Sequence, residues 1–325
     1  MYGCVAAIGM LKPLFPIGEC VLTILIAATS APAQITVHSA PLDITHDKPF
    51  VMVMINGKGP FRFVVDTGTG GEAFVTSQLA EELGLTPSGQ IRLSDPTGQG
   101  AKKVPMVVLQ TLRIAGVEFT GVKAAVHNLG SEDGYCQGLI GFLLFRDYLM
   151  TLDYPNRRIE LSTGDLDLDG ERSVLPFRMP DGIPIISLSV GTAQIDAQLD
   201  SGGEGLSLPI KLVSKLKFVS GSASLSKAQS LSTRFVVAGA SLGADVRLAS
   251  YTFKRPFIEI NPVFPVANFG AAPMQSFALT FDQKNGLVRF VADRHTLHLN
   301  PTPDPVRLVN APSTHPPDLS LVPVG

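Results

Sequence analysis

The sequence has little charge, and this shortage narrows the classes of protein that it can encode. Only 17% of its 325 residues are charged, 45% are hydrophobic, and the formal net charge is −2. Such a composition is typical of a globular protein rather than a disordered one, and the length fits two compact units. Because nucleic-acid binding normally needs a basic face, we expect no nucleic-acid partner.

Cysteine and histidine are also scarce, with three and six residues. Cys4 and Cys20 lie in an N-terminal segment that we expect to be removed, which leaves Cys136 without a disulfide partner. We predict that Cys136 is a small buried residue, and thiol catalysis beside His127 is the alternative. The histidines lack ligand-like spacing, so the sequence predicts no metal site and no cofactor.

The only candidate targeting segment is the N-terminus, where residues 1–33 predict a signal peptide. Lys12 supplies a positive charge, a short apolar run follows at residues 21–28, and Ala-Pro-Ala ends at Ala33. Cleavage after Ala33 would direct the protein to the periplasm or out of the cell. An uncleaved membrane anchor is the alternative, but a spanning helix needs about 20 apolar residues. No later segment is long enough, so no stable membrane insertion is expected after signal removal.

What the chain does contain is one pattern used twice. Each copy reads strand, glycine turn, strand and Asp-hydroxyl-Gly, as PFVMVMINGKGPFRFVVDTG and then IPIISLSVGTAQIDAQLDSG. Gly57 precedes Asp66 by nine residues, and Gly191 precedes Asp200 by nine residues. The two aspartates are 134 residues apart, so each copy is the size of a domain.

Each copy also ends in a predicted β-hairpin. The runs LIG and NFG end at Gly141 and Gly270, and Asp153 and Asp282 each follow by 12 residues, where a strand enters a polar turn. We interpret Asp153 and Asp282 as turn-forming residues.

Short strands with Gly and Pro turns dominate the remaining sequence. One short helix is predicted in each copy, from Thr76 to Leu83 and after Pro209. We therefore predict an all-β fold of two lobes that are related by a pseudo-twofold axis. The expected boundaries are 34–165 for the N-terminal lobe, 166–296 for the C-terminal lobe and 297–325 for a proline-rich disordered tail.

Asp66 and Asp200 are the candidate catalytic pair, because each ends an apolar strand. Two related lobes would bring these carboxyl groups together, and like charges at close range would share one proton. The ionised carboxylate could draw a proton from water while the protonated one polarises a carbonyl group. The candidate supporting residues of the two loops are Thr67, Gly68, Thr69, Ser201 and Gly202.

The DTGT run at Asp66 and the DSGG run at Asp200 resemble the motifs of the pepsin and retropepsin superfamily. The chain is most like the bacterial retropepsin-like aspartyl peptidases with signal peptides, over roughly residues 49–291. The resemblance implies an acid-protease β fold, a substrate cleft between the two lobes and cleavage of peptide bonds in a peptide or protein substrate. It also implies a mobile flap, for which residues 95–100 are the candidate. We expect the protein to be a monomer. The chain departs from the family at Gly203, where a small hydroxyl or alanine is usual, and its flap candidate has no tyrosine.

Other interpretations of these residues stay open. The two aspartates could be ordinary turn residues, the chain could be a peptide-binding module without turnover, or it could act as a homodimer through Asp66 alone. Glu72 and Glu204 beside the motifs are interpreted as solvated loop charges, and the alternative is that they favour basic substrates.

Two further motifs compete with this interpretation. The GTGGEA run at residues 68–73 fits a dinucleotide-binding fingerprint, but no alternation of strands and helices follows. The GASLG run around Ser241 fits a nucleophile elbow, with Asp282 and His295 following in hydrolase order. An elbow needs a helix after the serine, whereas ADVRLASYTF predicts a strand.

Overall fold

The structure is a computed structural model, and it describes most of the chain between residues 36 and 299. Within that range, residues 95–100, 130–134, 220–223, 230–233 and 263 are excepted. The predicted signal peptide, the flap candidate at 95–100 and the tail beyond 299 lie outside the described residues. The described residues belong to one compact unit, Ile35–Gly325.

The protein is mainly β, with 53% strand and 10% helix, which confirms the predicted fold class. The strand formed by Lys48–Ile55 illustrates the cause: Val51, Val53 and Ile55 are buried, whereas Met52 is 51% exposed. Successive side chains of a strand point to opposite faces, so this alternation buries one face of a sheet. The architecture is consistent with the acid-protease fold that the resemblance implies.

The first half of the chain forms eleven described strands. In chain order they are β1 (Val37–Pro41), β2 (Asp43–Thr45), β3 (Lys48–Ile55), β4 (Lys58–Asp66), β5 (Ala73–Val75), β6 (Gly89–Leu93), β7 (Lys102–Ile114), β8 (Val117–Val126), β9 (Gly138–Gly141), β10 (Leu149–Asp153) and β11 (Arg158–Ser162). Eight of these strands form one sheet, in the order β2-β3-β4-β9-β5-β8-β7-β6.

The second half of the chain forms thirteen described strands. They are β12 (Val174–Pro176), β13 (Ile185–Val190), β14 (Ala193–Asp200), β15 (Leu206–Pro209), β16 (Ser224–Gln229), β17 (Arg234–Ser241), β18 (Val246–Leu248), β19 (Tyr251–Phe253), β20 (Phe257–Asn261), β21 (Ala267–Gly270), β22 (Ala278–Asp282), β23 (Leu287–Val291) and β24 (Thr296–Leu297). Ten form a second sheet, in the order β16-β17-β20-β15-β21-β14-β13-β18-β19-β24. Leu297, where the tail was predicted to begin, is buried in this sheet.

A third, six-stranded sheet takes strands from both halves, in the order β1-β11-β10-β22-β23-β12. The two predicted hairpins form its centre, where β10 and β22 pair antiparallel and Thr151 lies opposite Thr280. The hydroxyl oxygens of these two threonines are 2.9 Å apart. The two halves are therefore joined by continuous backbone pairing as well as by the chain.

Short helices follow the strands β5, β9, β15 and β21. The helix α1 (Ser77–Leu83) begins after Thr76, whose hydroxyl accepts the Leu79 N–H at 3.2 Å, and ends at left-handed Gly84, as predicted. Its predicted counterpart is a 3₁₀ helix at Ile210–Lys215, and a second α-helix, α2, spans Ala271–Met274. Two further 3₁₀ helices span Phe142–Phe145 and Pro180–Gly182.

The main hydrophobic core draws on all three sheets, and a smaller cluster lies on the other face of the first sheet. Among the described residues, no helix is both long and apolar enough to cross a membrane. Asp153 and Asp282 are buried at their hairpin turns, where they accept N–H groups from Asn156 and Asn285. This confirms the turn-forming interpretation of both aspartates.

Candidate active site

Asp66 and Asp200 end two equivalent strands, each of which pairs in parallel with a strand that ends in glycine. Asp66 on β4 lies opposite Gly141 on β9, and Asp200 on β14 lies opposite Gly270 on β21. A Cβ atom at either glycine would collide with backbone of the preceding loop. Each aspartate is therefore held where its strand ends and a tightly packed loop begins.

The structure brings the two carboxyl groups together, and the glycine after each motif hydroxyl makes this possible. A Cβ atom on Gly68 would collide with the carboxyl group of Asp200, and one on Gly202 would lie 2.6 Å from Asp66 Oδ2. The contacts are reciprocal, so each loop contacts the carboxyl group of the other half. Glycine is required at both positions by this close approach.

Four crossed hydrogen bonds tie the two loops to each other. Thr67 Oγ1 donates to the Leu199 carbonyl at 2.7 Å and accepts the Ser201 N–H at 3.0 Å. Ser201 Oγ donates to the Val65 carbonyl at 2.7 Å and accepts the Thr67 N–H at 3.0 Å. Both side chains are fully buried, so these bonds hold the strand ends at a fixed separation.

The hydrogen bonds on Asp66 come from its own loop. The Gly68 N–H donates to Oδ1 and the Thr69 hydroxyl donates to Oδ2, both at 2.9 Å. Thr69 and Gly203 occupy equivalent positions, because their carbonyls accept the N–H groups of Phe142 and Ala271. The second loop thus lacks a hydroxyl where the first has one.

Backbone and amide groups surround Asp200 instead. The Gly202 and Gly203 N–H groups donate to Oδ1 at 3.0 and 2.8 Å, and Gln198 Nε2 lies 3.3 Å from Oδ2. Gln198 also donates to Asn268 Oδ1 at 3.0 Å. A Cβ atom on Gly203 would collide with the Asn268 amide. The amide pair explains the departure at Gly203, because it fills the space of the missing side chain.

Sequence reasoning missed Gln198 and Asn268. Their positions carried a signal, because the equivalent residues in the first copy, Val64 and Leu139, are apolar and pair in the same register. A polar replacement at two paired positions beside a candidate carboxylate indicates a hydrogen-bonding role.

The environment alters the acidity of both carboxyl groups. Burial and then the charge of Asp200 raise the pKa of Asp66 from 3.8 to about 7. Burial also raises the pKa of Asp200, although the Gly203 N–H and the charge of Lys48 act in the opposite direction. Because the two groups interact directly, they titrate as a pair.

The described part of the structure does not have the helices that the nucleophile-elbow and dinucleotide-binding hypotheses require. Ser241 ends β17, and the next described element is the strand β18, so no helix follows the serine. His295 lies 3.3 Å from the Ser250 hydroxyl and stacks on Tyr251. The short strand β5 follows the GTGGEA run without a long helix. Cys136 is buried in the smaller apolar cluster, as expected for a packing residue.

Glu72 differs from its predicted role as a solvated charge. Its carboxylate accepts the Lys123 N–H at 2.8 Å and pairs with Arg146, so it fixes the first loop to neighbouring elements. Among the described residues, no group of three His, Cys, Asp or Glu side chains could hold a metal ion.

One known protein family matches a segment of the first half of the chain. Residues 51–143 match the family model described as aspartyl protease. This part of the chain is therefore similar to aspartyl proteases. The matched segment covers Asp66 and most of the first sheet. Asp200 lies outside it, but β14 pairs with β21 in the same way as β4 pairs with β9. No curated protein matches the chain.

Proposed function

We propose that the protein is an aspartic endopeptidase that cleaves peptide bonds with water activated between Asp66 and Asp200. The observation that carries the proposal is the mutual contact of the two carboxyl groups through Gly68 and Gly202. An aspartyl protease domain implies a peptide substrate. Ordinary turn aspartates would have no reason to meet across two halves of a chain.

The proposed mechanism follows from one proton shared by two carboxyl groups. Asp200 accepts two backbone N–H groups, which stabilise its ionised form, whereas Asp66 accepts one N–H and one hydroxyl. We therefore assign the proton to Asp66 in the resting pair. Ionised Asp200 removes a proton from the bound water as it attacks, and Asp66 polarises the scissile carbonyl.

The other two hypotheses are less well supported. A binding module without turnover was suggested by the missing hydroxyl at Gly203, but Gln198 supplies an N–H near Asp200 Oδ2. A homodimer through Asp66 alone is unnecessary, because one chain supplies both carboxyl groups. We accordingly propose a monomer with lobes at residues 34–165 and 166–296, exported to the periplasm or beyond after cleavage at Ala33.

The test is peptide cleavage by the protein beginning at Gln34. Asp66→Asn and Asp200→Asn should each reduce kcat by at least about 100-fold, because general acid–base catalysis contributes about that factor or more. Asp153→Asn is the matched control, since it changes a buried aspartate of a hairpin turn. Its folding would be verified by circular dichroism. Cleavage by both dyad variants at the wild-type rate would refute the assignment.

The pH profile tests the shared proton. Activity should fall as the pH rises through about 7, where Asp66 loses its proton, and should also fall in acid when Asp200 is protonated. A rate that is independent of pH between 4 and 8 would contradict the shared-proton mechanism.

A further inference from the structure

The two sheets present equivalent faces on the side of the catalytic carboxyl groups. Side chains two residues apart on a strand share a face, and so do residues that pair across strands. Val64 therefore shares the face of Asp66, and Gln198 shares the face of Asp200. The pairings extend each face across β9, β5 and β8 in the first sheet and across β21, β15 and β20 in the second.

In the first sheet this face is apolar and filled. Its residues pack together in the smaller hydrophobic cluster, and each is 5% exposed or less. They are Phe50, Val64, Phe74, Ala125 and Leu139.

In the second sheet the same register positions are mostly polar. The equivalents are Ile185, Gln198, Ser207, Glu259 and Asn268. We name the four polar residues among them, Gln198, Ser207, Glu259 and Asn268, the polar face.

Several groups of the polar face are available to a ligand. Ser207 is 7% exposed and lies beside Asn268 and Glu259 in the register of the sheet, so its hydroxyl belongs to the same face. The Gln198 amide N–H groups are already directed to Asp200 and Asn268, so its oxygen remains as an acceptor.

Glu259 contributes an uncompensated carboxyl group. Neither an ion pair nor a hydrogen bond to its side chain is found within the described part of the chain, and the residue is partly buried. Burial and then the charge of Glu204 raise the pKa of Glu259 from 4.5 to about 7. Partial withdrawal of a carboxylate from water disfavours its charged form, and a cation bound beside it would offset that cost.

We propose that the polar face binds a lysine or arginine side chain of the peptide substrate close to the cleaved bond. The inference rests on the proposed peptidase function and specifies its substrate class. Carboxylate, amide and hydroxyl oxygens suit the several N–H donors of a basic side chain. The filled apolar face of the first sheet offers no such group, so the two sides of the cleaved bond are recognised differently.

The position of the basic residue follows from strand spacing. Three interstrand steps of about 4.8 Å, roughly 14 Å in all, separate β14 from β20. An extended peptide advances about 3.5 Å per residue. We therefore expect the lysine or arginine within about four residues of the cleaved bond, and on one side of it only.

The first step is to profile cleavage of a peptide library by the protein beginning at Gln34. One cleaved peptide that contains lysine is then compared with a matched peptide in which norleucine replaces the lysine. Wild type should favour the lysine peptide in kcat/KM. Glu259→Gln should reduce that preference about 10-fold or more, because a charge-assisted bond becomes a neutral one. Glu259→Ala copies the equivalent first-sheet residue and should have the same effect. Glu118→Gln, an exposed glutamate paired with Arg113, is the matched control and should keep the preference.

The outcomes separate this inference from the proposed function. Cleavage that needs both aspartates but shows no basic preference, or a preference unchanged in both Glu259 variants, would overturn the inference alone. If no peptide is cleaved, binding replaces cleavage as the measurement. The library peptides are then labelled with fluorescein, and those that the immobilised protein retains are identified. Weaker binding of the norleucine peptide, and loss of that difference in Glu259→Gln, would support the polar face without catalysis. Equal binding would refute it.

Discussion

Replacing Thr67 by valine should destabilise the protein more than any surface substitution of the same kind. Valine preserves the shape of the side chain but removes two hydrogen bonds, to the Leu199 carbonyl and from the Ser201 N–H. Both backbone groups lie at the fully buried junction and would be left without partners. Each such group costs about 1–3 kcal/mol, so the loss should be about 3 kcal/mol.

Ser201→Ala offers an independent measurement of the same junction. It removes the bonds to the Val65 carbonyl and from the Thr67 N–H, which are different backbone groups from those that Thr67→Val affects. We expect a similar loss of about 3 kcal/mol. Because each hydroxyl accepts the N–H of the other residue, the double variant should deviate from the sum of the two losses by about 0.5–3 kcal/mol.

Urea unfolding of the variants, all in an Asp66→Asn background to prevent self-digestion, measures these free energies. In a separate thermal unfolding experiment, the melting temperature should fall by roughly 6–12 °C for Thr67→Val, taking about 2–4 °C per kcal/mol for a chain of this size. Thr120→Val, at an exposed position on β8, is the control and should change stability by less than about 0.5 kcal/mol. A loss below about 1 kcal/mol for Thr67→Val would show that the crossed bonds do not hold the junction.

Three other perturbations test separate features. Because the pKa of Asp66 is raised in the folded state, its contribution to stability is fully present below pH 3.8 and is lost as the pH rises through about 7. Urea unfolding at several pH values should show that Asp66→Asn removes up to about 4 kcal/mol of this pH dependence of stability. An unchanged pH dependence in the variant would contradict the raised pKa. Gly202→Ala should abolish cleavage, because the added methyl group meets the Asp66 carboxyl group. Gly89→Ala, whose added methyl group would meet only the Met106 side chain at 3.6 Å, should retain it, and activity in both would refute the close approach. Thr76→Ala should cost about 1 kcal/mol through the lost α1 cap, and thermal unfolding without any change would exclude that cap.

The sequence was sufficient for features that depend on local spacing. The glycine nine residues before each aspartate and the aspartate 12 residues after each later glycine predicted the equivalent strands and hairpins. The capping pattern from Thr76 to Gly84 predicted α1 at its observed bounds. The glycine and aspartate spacings repeat within one chain, so chance similarity was easy to exclude.

Features that depend on long-range register could not be predicted in the same way. The partner of β1 is β11, more than 100 residues later, and nothing in VHSAP specifies that choice. Gln198, Glu259 and Asn268 lie on three different strands, and only the pairings of β14, β21, β15 and β20 assemble them. The leading proline predicted a helix at Ile210–Lys215 but not its 3₁₀ form.

The pairing of Thr151 with Thr280 has a consequence for how the halves can diverge. Two equivalent threonines face each other at the centre of β10 and β22, so Leu149 opposes Asp282 while its equivalent, Ala278, opposes Asp153. Two identical chains related by a dyad would make that same interface. Substitutions can therefore accumulate in one of the two large sheets while the other sheet and the β10–β22 pairing stay unchanged. The result is an asymmetric substrate-binding surface on a symmetric backbone.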